Sequence, residues 1–154
     1  MPAAPVLRGL QSMAFAFAGA CVLVAVIAVG GVYPGVGLRF DPAALLPLVV
    51  AAADLLLVTL LERQAPPANA AEPEGAAHLL RTTALARMAF AEAPTLVGFV
   101  LVFVLSDTVL PVVLGLLGSL LLFAVWWPGE RLVAAVRRRV EPIGGGPALN
   151  EALR

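Results

Sequence analysis

The chain has 154 residues, of which 61% are hydrophobic and 13% charged, with a mean hydropathy of +0.98 and no net charge. A water-soluble domain of this size is usually near half apolar and a quarter charged, so the composition excludes an ordinary aqueous globule and points to a membrane protein. Zero net charge provides no bulk field for nucleic acid, and one cysteine and one histidine leave no intramolecular disulfide and no Cys/His metal centre.

In chain order, residues 1–11 are Pro-rich and carry Arg8. Residues 13–32 form an uncharged apolar run, and about twenty such residues suffice to cross the hydrocarbon core. A signal peptide is the alternative reading. The run is longer than the apolar part of a signal, and three more apolar runs follow, which favours a retained span. Ala14, Ala18 and Gly19, beside Phe15 and Phe17, offer a face on which another helix can approach closely. Residues 33–42 are rich in Gly and Pro and mark a turn. Tyr33 and Phe40 suit an interfacial belt, and Asp41 before Pro42 reads as a helix N-cap followed by Pro at the first helical position.

Residues 43–61 form the second span, with Asp54 as its only charge and Pro47 in its first turns, where a missing donor matters least. Glu62 and Arg63 close it. Residues 64–78, QAPPANAAEPEGAAH, lack hydrophobic periodicity and read as a flexible linker dividing the chain into two hairpins. His78 falls within it and is expected to be solvated. A helical lead from Leu79 enters the third span, residues 84–105, which carries Glu92 and Pro94 near its start. Pro94 removes a helix hydrogen bond and predicts a bend there.

Ser106, Asp107 and Thr108 make a polar turn suited to capping the fourth span, residues 109–127. In that span Gly115 and Ser119 form a small-xxx-small pair to which Gly118 adds. Trp126 and Trp127 suggest an interface, and Pro128 and Gly129 a stop. In residues 130–140, Leu132, Val133, Val136 and Val140 recur at helical spacing among Arg131, Arg137, Arg138 and Arg139. This pattern predicts a short helix lying on the membrane surface with its arginines toward anionic lipid. The plainer alternative is a charge anchor that fixes orientation. The Gly-rich tail from Glu141 is predicted to be disordered.

These elements predict an all-α fold, an integral membrane four-helix bundle built from two helical hairpins in one membrane domain. Ten-residue alternating strands are absent, which argues against a barrel. Arg8, Arg63, Arg81, Arg87 and the five arginines after residue 128 fall on one side, and only Arg39 falls on the other. Basic residues concentrate on the cytoplasmic side of cell membranes, so both termini are predicted to be cytoplasmic.

Two acids stand out. At ~1.5 Å per residue, Asp54 lies roughly 10 Å and Glu92 roughly 7.5 Å from the arginine-rich end of their spans, so they sit at similar depth. A carboxylate at the centre of a membrane helix costs on the order of 3 kcal/mol. Asp54 and Glu92 are therefore the candidates for a shared proton or cation site. The structural alternative is that each is satisfied by a neighbouring Arg, a headgroup or water. Arg87 is not a local partner for Glu92, because five residues at about 100° each place them ~140° apart around the helix.

The sequence EAP followed by TLVGFVLVFVL in the third span resembles the carboxylate helix of the ATP synthase proteolipid, or c subunit, over residues 87–105. That resemblance implies cation binding at Glu92. Here, however, the acid lies near the end of its span and on the first helix of its hairpin, so ring assembly is not carried over. The chain as a whole is similar to small bacterial four-span membrane proteins with an R–EAP–apolar–hairpin pattern in the second half. No Ser/His/Asp set or phosphate-binding loop is evident, and no cofactor or metal is implied. The expected role is a non-catalytic assembly or accessory component of a bacterial inner membrane. Its expected partners are the lipid bilayer and a second copy or another membrane protein. A small proton- or cation-coupled transporter using Glu92 and Asp54 is the alternative.

Overall fold

The computed structural model describes residues 5–32, 37–64, 70–105 and 107–154. Among these, all regular structure is helical, as continuous apolar runs without strand alternation require. Helix α1 spans Pro5–Val26 and ends in a π-helical turn, Ile27–Val32. A 3-10 turn, Pro42–Leu45, leads into α2, Leu46–Gln64. Helix α3 spans Pro73–Leu105, α4 Leu110–Val125, α5 Glu130–Val140 and α6 Gly146–Ala152.

The first four helices form a four-helix bundle, and α3 and α4 are its most intimate pair. Helices α1 and α2 are consecutive in sequence but barely touch. Each packs on both α3 and α4. Thus the second hairpin is packed along its length, while the first is a hairpin in connectivity only.

Glycines explain the closeness of α3 and α4. A Cβ on Gly98 would run into the Pro111 carbonyl, and one on Gly115 into the Pro94 carbonyl. Gly118 brings Ala51 of α2 and Pro94 of α3 against the same stretch of α4. Small residues let helix backbones meet where lipid supplies no hydrophobic drive between helices. The small-residue face of α4 is therefore consumed inside the bundle.

Large apolar side chains are exposed all round the bundle, including Phe15, Leu23, Leu56, Leu60, Val100, Val104, Leu121 and Val125. Helices α1, α2 and α3 are each long and apolar enough to cross a membrane. Helix α4 is equally apolar but has 16 residues, about 24 Å at ~1.5 Å per residue. It turns by 62° into α5.

At the arginine-rich end the chain builds a cap that corrects three expectations. The segment 64–78 is not linker throughout, because α3 begins at Pro73 and Ala70 is fully buried. The tail after Glu141 is ordered, and α6 buries Ala148 and Leu149 against the core. The apolar face of α5 does not rest on lipid. Leu132, Val136 and Val140 are buried in one core with Ala76, Leu80 and Ala84 of α3 and with Leu149. Periodicity established that α5 has an apolar face, and the lead of α3, hidden in an aperiodic stretch, is what covers it. With 33 residues α3 is about 50 Å long at ~1.5 Å per residue, well beyond a ~30 Å hydrocarbon core.

The opposite end is tied by Thr108. Its Oγ1 donates to the Arg39 carbonyl at 2.6 Å and accepts from the N–H groups of Arg39 and Leu110, each at 3.1 Å. This one hydroxyl starts α4, the capping expected of the polar turn, and pins the α1–α2 connection to it. Arg39 also pairs with Asp107 at 3.5 Å on the surface. Asp41 caps as expected, accepting from the Ala43 N–H at 2.7 Å with Pro42 at the first helical position. Tyr33 and Ser106 lie outside the described residues.

Candidate functional site

Asp54 stands on the inner face of α2, in register with Pro47 and Val58, and is 8% exposed. One of its carboxylate oxygens, Oδ2, is buried without a hydrogen-bond partner among the described residues. Leaving a buried acceptor unmet costs about 1–3 kcal/mol, so this is a position where the chain gives up stability.

Glu92 is half-buried on α3. Arg87, buried on α3, reaches across to α2 and forms a two-pronged ion pair with Glu62. Its Nε donates to Oε1 at 2.6 Å and its Nη2 to Oε2 at 2.8 Å. Five residues on, at about 100° per residue, Glu92 lies ~140° around α3 from Arg87. Arg87 thus has its partner on another helix. Asp54 and Glu92 share no hydrogen bond or ion pair.

Glu62 is the residue that sequence reasoning passed over. It appeared only as a charge closing the second span. Nothing local signals its pairing with Arg87, because the partners are 25 residues apart.

Helices α3 and α4 share a buried polar contact with a structural cause. Pro94 has no N–H and its ring crowds the preceding turn, which loosens the local helix bonding. The next N–H, from Thr95, donates to Ser119 Oγ at 3.1 Å, and the Thr95 hydroxyl donates to the same oxygen at 2.8 Å. Gly115 and Ser119, one turn apart on α4, thereby support the weak point of α3, which runs as one helix through Pro94. The expected bend site is a buried junction.

The four arginines of α5 separate. Arg137 donates to Asn150 of α6 at 2.8 Å, and Arg139 to Thr83 of α3 at 3.3 Å. Arg131 and Arg138 are exposed. Among the described residues no three His, Cys, Asp or Glu side chains cluster as a metal site would require. No protein-family model matches the chain, and neither a characterised protein nor a solved structure is significantly similar to it.

Proposed function

We propose that the protein is a multi-pass membrane component with its arginine-rich cap in the cytoplasm, acting without catalysis as an assembly or accessory subunit. The observation that carries this reading is the contrast between belt and cap. Exposed large apolar residues surround the bundle, whereas in residues 70–88 and 130–154 only Leu85 and Ile143 are of that kind. A surface apolar over the rods and polar over the cap suits a body in lipid presenting a folded head to water. Orientation is tested in a Cys21→Ser background. Single cysteines at Phe40→Cys and Asn150→Cys should be labelled by an impermeant maleimide from opposite faces, Asn150→Cys from inside. Labelling of both from one face would overturn the topology. The native complex, extracted in mild detergent, should have a mass above that of the lone chain. A monomer would remove the assembly reading.

A second reading is favoured by the unpartnered oxygen of Asp54, which is the kind of acceptor a bound proton or cation would satisfy. The proteolipid-like residues around Glu92 point the same way. Since no hydrogen bond joins the acids, each would act alone. Asp54→Asn and Glu92→Gln test them separately, by counterflow of protons or sodium in liposomes. Unchanged flux in both would end this reading.

A further inference from the structure

The arginine-rich end holds two cavities that share Glu62 and Arg139 as a common wall. One, of about 230 Å³, is apolar and is lined by Val58, Leu61, Leu79, Ala86 and Phe90. The other, of about 540 Å³, lies between the end of α2 and α5 and is lined by Arg63, Arg138 and Arg139 with Thr59. From these neighbours we infer a seat for one anionic phospholipid, its phosphate between Arg63 and Arg138 and an acyl chain in the crevice beside Phe90.

Three observations support this. First, Arg63 and Arg138 are both exposed and neither makes a hydrogen bond or ion pair among the described residues, so their donors are available to a phosphate. Second, among the described residues the only carboxylate in the walls is Glu62, and both its oxygens are engaged by Arg87. The groove therefore carries positive charge that would otherwise be cancelled. Third, the depths agree. Arg63 is in the last turn of α2, where a span meets the headgroup layer, and Val58 is five residues deeper along the same helix. The inner wall of the slot, Val58 and Phe90, thus lies on the bundle side of the cationic rim, while Leu79, Thr82 and Thr83 continue its outer wall into the cap; rim and inner wall have the layout of a phospholipid at an interface. This seat differs from a surface helix floating on charge, because α5 spends its apolar face on α3 and shares the groove with α2, adding Ala135, Arg138 and Arg139 to its wall. The inference rests on the membrane reading but not on the orientation, since the site is the same in either leaflet.

The test uses the full chain purified in a neutral detergent, with native mass spectrometry and thermal unfolding as readouts. Added phosphatidylglycerol should bind as one molecule and raise the melting temperature, and phosphatidylcholine should do neither. Arg63→Gln/Arg138→Gln should bind phosphatidylglycerol roughly thirtyfold more weakly, at about fivefold for each basic residue near a membrane surface. Arg8→Gln/Arg154→Gln, which removes the same charge at the same end, should bind as the parent does. Ala86→Phe, which fills the crevice and spares the arginines, should also lose the lipid. Equal binding by the first double variant and the parent would overturn the proposal, as would equal stabilisation by phosphatidylcholine. Equal stabilisation by glycerol phosphate would do so too, since it has the headgroup chemistry and no chain. If only the melting temperature fell in a variant while lipid binding persisted, the seat would be wrong and the membrane fold would stand.

Discussion

At the scale of single residues, close approach and ion pairing make opposite demands. Gly115→Ala drives a methyl group into the Pro94 carbonyl and should cost about 1–3 kcal/mol, the usual range for overpacking. Gly19→Ala meets nothing within 4 Å and should be neutral or stabilising by up to about 1 kcal/mol. Unfolding of both variants in detergent separates the cases, and equal losses would show that α3 and α4 are not held through Gly115. Arg87→Met strands Glu62 and should cost about 2–3 kcal/mol, less than a fully buried pair because Glu62 keeps some exposure. In Glu62→Leu/Arg87→Met the loss should be smaller than the sum of the single losses. Asp54→Asn should be neutral or stabilising, since it removes a buried carboxylate with an unmet oxygen. A marked loss of stability there would mean that Asp54 has a partner that its surroundings in this fold do not reveal.

At the scale of elements, what was legible in the sequence was what lipid dictates. Runs of nearly twenty apolar residues gave the first two spans and the body of the third. Asp41 and Pro42 gave the start of the second. Of the cap, helix α5 was legible from its periodicity; α6, the start of α3 and their docking were not, for a physical reason. Helix α6 has 7 residues beside a Gly-rich turn, and the lead of α3 from Pro73 is written in Ala, Glu and Gly without a stripe. Such segments are held by what they dock on, and single-sequence periodicity is blind to that. That Asp54 turns to the inner face of α2 was not legible, because facing depends on neighbours. Leu149→Ala tests the docking of α6. Removing a fully buried leucine should cost about 2–4 kcal/mol, and trypsin should then cut faster at Arg137–Arg139. Unchanged cleavage would show that α5 holds its place without α6.

At the scale of the whole molecule, two cores share the work. The larger lies under the cap and draws on all six helices, and the smaller joins Ala25, Ala28, Val102, Val109 and Val112 at the Thr108 end. Thr108→Val keeps the shape but removes the latch on Arg39 and the cap on Leu110. It should cost about 1–3 kcal/mol, since buried groups lose their partner. Protease access to the α1–α2 connection should rise with it, while the cap stays intact. If both ends loosened together, the two cores would be one cooperative unit.

The length of α3 has a mechanical consequence. Placed in a bilayer, this one continuous helix would serve as both membrane strut and spine of the cap, with an overhang of about 20 Å at ~1.5 Å per residue. Membrane helices answer thinner or thicker bilayers by leaning. A lean of about 10° would sweep the tip sideways by ~3–4 Å. Because α3 is continuous from Pro73 to Leu105, bilayer thickness would then be converted directly into displacement of the cap.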